Sequence, residues 1–208
     1  MCGTVGYYPL TSEHPNLRRE AFCRLLTESQ VRGMHAYGIF QPASGCLKSG
    51  DLQDIKNYFL PEYPMVAHTR YSTSGDWRNM ENNQPIQVEG LVLVFNGVIH
   101  MGTREEFNAA FQVECLSNND GEVLLRCMDG GTTGVRALQA ESFILNTRGS
   151  FAGCWFDDGI MFVGRNPRRP LWYCEHLGAR WFASTRDIFL RAEFPEPLEV
   201  PVGVQRVG

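Results

Sequence analysis

Leu91-Val92-Leu93-Val94-Phe95-Asn96-Gly97 is five apolar residues in a row closed by Asn-Gly, and its reading decides the fold. A strand with one face in water alternates apolar and polar side chains; an unbroken apolar run fits a strand buried on both faces. The run stops at Asn96-Gly97, a dipeptide whose backbone favours a tight turn. On its N-terminal side, Met65–Thr69 is a second compact apolar strand. It leads into Arg70-Tyr71-Ser72-Thr73-Ser74-Gly75 and a polar, irregular loop from Asp76 to Gln84, of the kind that carries function.

Further out, Gly3–Tyr8 and Ala36–Phe40 read as strands on either side of an amphipathic helix. That helix starts at Pro15, carries Leu17, Phe22, Leu25 and Leu26 on one face and reaches about Val31. Pro42–Gly50 reads as turns and Asp51–Phe59 as a short helix. Towards the C-terminus, Thr103–Phe111, Glu122–Met128 and Thr132–Asn146 read as helices. Ser150–Phe156, Ile160–Gly164, Leu171–Cys174 and Arg180–Ala183 are short β-rich runs whose spacing fits an antiparallel meander, and Pro195–Gly208 ends as an edge strand. Strands, then helices, then strands again do not make a βαβ alternation. The simplest packing is α+β: two mainly antiparallel sheets with helices on their outer faces, a four-layer αββα sandwich. No repeat, low-complexity segment or linker divides residues 1–208, which read as a single domain.

The 208 residues, 43% hydrophobic and 20% charged, describe an ordinary globular chain, and the net charge of −4 comes without acidic or basic blocks. Nothing points to nucleic acid or to a membrane surface, no apolar run reaches spanning length, and the N-terminus does not resemble a signal peptide. A cytoplasmic location is expected. Seven scattered cysteines without a C-x-x-C pair argue against both a zinc site and a disulfide framework. Most, such as Cys154 inside an apolar run, read as small buried hydrophobes.

Cys2 differs from them by position. Removing Met1 would leave a residue with both a thiol and a free α-amine, whose reference pKa of about 7.7–8.0 lets it act as a base near neutrality. A cysteine that attacks an amide needs a base, an oxyanion hole and a substrate clamp. Arg70, at a strand end before a polar loop, is either a salt-bridged surface arginine or a bidentate clamp for a carboxylate. Asn96-Gly97 is either a hairpin turn or a side-chain amide beside a backbone N–H, two donors converging on one point. Asp120 is either the N-cap of the following helix or a carboxylate for a substrate ammonium. Arginine for a carboxylate and aspartate for an ammonium describe a site for a free α-amino acid.

In their order and spacing these elements resemble the glutaminase domain of class II glutamine amidotransferases, within the N-terminal-nucleophile hydrolases. Met1-Cys2-Gly3 resembles the family's processed start. Arg32-Gly33 with Gly38 resembles its Arg-Gly-x-Asp-Ser-x-Gly. Ala67-His68-Thr69-Arg70-Tyr71-Ser72-Thr73-Ser74-Gly75 resembles its glutamine-loop motif, and Asn82-Asn83-Gln84-Pro85 the next element. Phe95-Asn96-Gly97-Val98-Ile99 resembles His-Asn-Gly-x-Ile, and Ser117 to Leu124 resembles Ser-Asp-Thr-Glu-Val-Leu. Gly149-Ser150-Phe151-Ala152, Arg165-Asn166-Pro167 with Pro170-Leu171, and Ala183-Ser184-Thr185 fall where the later strand motifs do.

The resemblance implies Cys2 as nucleophile and Asn96 and Gly97 as oxyanion hole. It implies Arg70, Tyr71, Thr73 and Asp120 around the substrate L-glutamine, and Arg32 and Gly33 in support. It implies no cofactor and no metal. The family's glutaminase domain is normally fused to a synthase, and no such motif is left over here, so the expected acceptor of ammonia is a separate synthase subunit. The alternatives are an N-terminal-cysteine hydrolase of a γ-glutamyl or other amide with no partner, and a catalytically silent binding subunit. The chain departs from the pattern at His35-Ala36 in place of Asp-Ser, at Phe95 in place of a common His, at Ser74 in place of another, and at Asn166 in place of Asp. Two extra residues also precede Asp120.

Overall fold

The computed structural model describes residues 2–72, 75–128 and 130–208. In chain order the elements are β1 (Gly3–Pro9), α1 (Pro15–Ser29), β2 (Ala36–Gln41), β3 (Gly45–Ser49), α2 (Leu52–Tyr58), β4 (Met65–Arg70), β5 (Ile86–Val88) and β6 (Leu91–Val98). After them come α3 (Arg104–Phe111), α4 (Glu122–Cys127), α5 (Thr133–Asn146), β7 (Ser150–Asp157), β8 (Ile160–Arg165), β9 (Trp172–His176), β10 (Ala179–Ala183), α6 (Arg186–Arg191), β11 (Leu198–Glu199) and β12 (Gly203–Arg206). The strands form two sheets whose pairings are antiparallel throughout. One has seven strands in the order β11-β9-β10-β1-β4-β2-β3, and the other has five in the order β12-β8-β7-β6-β5.

Alternation along β6 resolves the layers. Leu91, Leu93 and Phe95 pack with Phe107 of α3, Val123, Leu124 and Leu125 of α4, and Ala140 and Ile144 of α5. Val92 and Val94 point the other way, into a second cluster with Val66 of β4 and Phe182 of β10 in the seven-stranded sheet. A third cluster joins the outer face of that sheet (Val5, Tyr7, Ile39, Ala67, Trp181) to Phe22 and Leu25 of α1, Ile55 of α2, and Ile188 and Phe189 of α6. Helix, sheet, sheet, helix: three apolar interfaces separate four layers, the αββα sandwich. Burying a side chain of Leu or Phe size contributes roughly 1.5–3 kcal/mol before entropy is counted, so each two-faced strand anchors two layers at once. Gly6 lets the sheets close up, because a Cβ there would sit 2.9 Å from Cys154 Sγ.

Local expectations needed correction where pairing overrides chain-local cues. The apolar strand does not stop at Asn96-Gly97; β6 runs through both to Val98, opposite Ser150, and there is no turn at that dipeptide. The four β runs do not form one meander. β7 and β8 are a hairpin in the five-stranded sheet, while β9 and β10 are a hairpin in the other. The stretch expected as turns contains β3, and α6 and β5 appear where no element was expected. The tail supplies an edge strand to each sheet, β11 and β12. Trp181 and Phe182 are buried on opposite faces of the seven-stranded sheet. No helix among the described residues is long and apolar enough to cross a membrane.

Candidate active site

Strand register brings the first pieces together. Gly3 pairs with Thr69 and Ala36 with Arg70, so the residues one step further, Cys2 and His35, fall beside Arg70 and Tyr71. Cys2 Sγ donates to the Tyr71 carbonyl at 3.5 Å. The Cys2 carbonyl accepts from Arg32 Nε at 2.9 Å. Gly33 supports this packing by having no side chain: a Cβ there would overlap the Arg70–Tyr71 peptide.

Arg70 closes β4 on the row that carries Val66 and His68 into the space between the sheets, and it is buried. Burial pulls its pKa down, while charge on Cys2 and on Asp120 pushes it back up. For the Cys2 thiol, burial is the largest influence and raises the pKa above its ordinary value; a backbone hydrogen bond with Tyr71 and the Arg70 and Arg32 charges offset this in part. A thiol in that state rests protonated at neutral pH and needs a base before it can attack. Tyr71 is half exposed at the rim. Thr73 lies outside the described residues.

Asn96 continues the inter-sheet row of Val92 and Val94. Its side chain is 2% exposed, and its Nδ2 has no hydrogen-bond partner among the described residues. An unpaired buried amide donor costs about 1–3 kcal/mol, so it calls for an explanation. Gly97 follows; a Cβ there would overlap the Ser150 carbonyl oxygen on β7. Phe95, where the resemblance expects a histidine, stacks on Phe151 at 5.5 Å and forms an apolar wall.

The N-cap alternative for Asp120 fails. α4 is capped at Gly121 with no side-chain bond, and Asp120 Oδ2 instead accepts from Ile99 N at 2.6 Å and His100 N at 3.0 Å. The aspartate thereby ties the end of β6 to the start of α4. Burial raises its pKa, offset by those two backbone N–H groups. Cys2, Arg70, Tyr71, Gly97 and Asp120 line a single small pocket together with Gln84, Phe95 and Asn119.

Sequence reasoning assigned no role to the residues that brace this pocket. Gln84 Oε1 accepts from Phe95 N at 2.6 Å. Asn82 accepts from Asn118 N at 2.9 Å through its side chain and from Asn119 Nδ2 at 3.0 Å through its carbonyl. Glu122 accepts from Leu116 N, Ser117 N and Arg126, bonds that hold its carboxyl below the ordinary range against the burial that would raise it. Arg169 Nη2 donates to Ser150 Oγ at 2.9 Å. Asn166 accepts from Phe151 N and donates to the Gly149 carbonyl; an aspartate could not make that second bond. A buried Gln or Asn in a polar loop looks like any solvated one until its partners are known, so only the motif position of Asn82-Asn83-Gln84-Pro85 hinted at these roles.

No protein-family model matches the chain, and no curated protein does. Solved structures do. A glutamine phosphoribosylpyrophosphate amidotransferase from B. subtilis, complexed with ADP and GMP, superposes with a TM-score of 0.72 at 21% identity, over 99% of this chain and 49% of that one. A structure described as the allosteric regulatory enzyme of purine biosynthesis gives 0.69 at 20% identity, over 99% and 48%. A glutamine aminotransferase class-II domain protein from Silicibacter pomeroyi gives 0.57 at 10% identity, over 99% and 98%. At these identities the likeness establishes the fold alone: the two-sheet sandwich with helices on its outer faces is the one these structures share. The chain spans about half the length of the first two structures.

Proposed function

We propose that residues 1–208 are one class II glutaminase domain that hydrolyses L-glutamine to glutamate and ammonia through a thioester on Cys2. The observation that carries this reading is a buried Asn96 Nδ2 with no hydrogen-bond partner among the described residues, on the residue between Phe95 and Gly97, both of which line a pocket with a cysteine, an arginine and an aspartate. A donor with no partner among the described residues fits a site whose acceptor, an oxyanion, exists only during reaction.

In the reaction, Arg70 receives the substrate α-carboxylate and Asp120 its ammonium, with Tyr71 and Thr73 lining the loop. Once Met1 is removed, the free α-amine of Cys2 accepts the thiol proton, directly or through a water. The sulfur forms a bond to the side-chain amide carbon, and the carbonyl electron pair moves to the oxygen, which Asn96 and Gly97 stabilise. Collapse expels the amide nitrogen, which takes the proton from the α-amine and leaves as ammonia. Water then attacks the γ-glutamyl thioester, releasing glutamate and restoring the thiol. Arg32, on the Cys2 carbonyl, holds the nucleophile's backbone. The ammonia passes to a separate synthase subunit, and the setting is cytoplasmic.

The test pairs covalent labelling with one substitution. A diazo-ketone analogue of glutamine should label Cys2 in protein whose intact mass shows Met1 removed, and Cys2→Ala should abolish glutamine hydrolysis while keeping the fold. Label on another residue, or on none, refutes the reading. A panel of γ-glutamyl compounds turned over faster than glutamine would favour the amide-hydrolase alternative instead.

A further inference from the structure

His35 grips three consecutive residues of the segment that carries Arg70. Its main-chain N–H donates to the Arg70 carbonyl at 2.9 Å. Its ring stacks on Tyr71, with centroids 5.1 Å apart and planes 26° from parallel. Its Nδ1 accepts from Ser72 N at 3.0 Å, which places the proton of the neutral ring on Nε2. The same ring stacks on Trp77 at 5.8 Å and 21°, and Trp77 carries the Arg78 guanidinium at 4.9 Å. Within this grip lies the Tyr71 carbonyl, the acceptor of the Cys2 thiol. An aspartate, which the resemblance places at this position, offers an acceptor but no ring.

We propose that His35 is a positioning residue for both halves of the site. It holds Arg70 where a substrate carboxylate is received, and it holds the Tyr71 carbonyl against the nucleophile's sulfur. This role rests on the glutaminase reading above, so its test needs one readout that does not depend on turnover.

Three variants divide the grip. His35→Phe keeps a ring and loses the acceptor. His35→Asn sets an oxygen near the place of Nδ1 and loses the ring. His35→Ala loses both. Steady-state glutamine hydrolysis should show KM raised about fivefold in each of the first two, the worth of one neutral hydrogen bond or one aromatic contact. In His35→Ala the rise should be roughly 25-fold if the two contributions add, with kcat within about threefold of the parent. The second readout is the rate of Cys2 alkylation by iodoacetamide, followed by peptide mass spectrometry; it should change severalfold in His35→Ala. Parent values of both KM and alkylation rate in His35→Ala overturn the proposal. So does a joint fall in kcat and thermal stability at unchanged KM, the pattern of a merely structural residue. If the parent protein does not hydrolyse glutamine but its Cys2 alkylation still depends on His35, the positioning role stands and the glutaminase reading falls.

Discussion

Truncating Asn96 to alanine tests whether an amide donor is held in reserve for catalysis. The Nδ2 group is buried and makes no hydrogen bond among the described residues, so its removal breaks none there and relieves a desolvation cost of about 1–3 kcal/mol. Against that stands the small void left by the lost amide, on the order of 1–2 kcal/mol for a side chain of this size. The two nearly cancel, and the melting temperature should move by only a few degrees. Catalysis has no such compensation. Loss of one oxyanion donor costs about 2.7–4 kcal/mol of transition-state stabilisation, or roughly 10²–10³ in kcat, with KM little changed because the donor meets its acceptor only in the tetrahedral state. The assay is glutamate release coupled to glutamate dehydrogenase, run beside calorimetry on the same preparations. A fall in kcat smaller than tenfold, or a melting temperature lowered by more than about 10 °C, would refute the reasoning. The first result would mean that the amide is no oxyanion donor, and the second that it serves the fold.

Asp120→Asn should keep both backbone bonds, because an amide oxygen can accept from Ile99 N and His100 N as the carboxylate does. The variant loses the charge for the substrate ammonium, so KM should rise about 10–100-fold; since burial disfavours the charged form, urea unfolding should show equal or slightly greater stability. His68, fully buried between the sheets, has its pKa pushed down to about 3, chiefly by burial and then by the Arg70 charge. The unfolded chain takes up that proton near pH 6.5 and the folded chain only near 3, so stability is lost as pH falls through this window, by up to about 4–5 kcal/mol at its lower end. His68→Phe should flatten the stability profile between pH 6 and 4 in urea titrations; an unchanged slope would sink the assignment.

The layered fold was legible wherever burial leaves a one-dimensional trace. The unbroken run Leu91–Phe95 announces a strand covered on both sides, and the alternation of clusters along β6 follows from it. Residue type and order also singled out Cys2, Arg70, Gly97 and Asp120, which the structure brings to one pocket. Chain-local cues failed where long-range pairing sets the outcome. Asn96-Gly97 has the composition of a turn but is held extended by eight paired positions of β7. Asp120 has the position of a cap, but its carboxylate is claimed by the end of a distant strand.

What the amino-acid order determined by itself was the alternation of side chains along each strand, and with it the layers. Only the tertiary structure decided that Cys2 stands beside Arg70, because that depends on which antiparallel register β1 adopts on β4, and a slip of one residue would turn every side chain of β1 to the opposite face. The roles of Gln84, Asn119 and His35 belong to the same class. Hydrogen bonds and ring contacts between residues far apart in the chain leave no periodic mark, since their partners are chosen by packing and not by spacing.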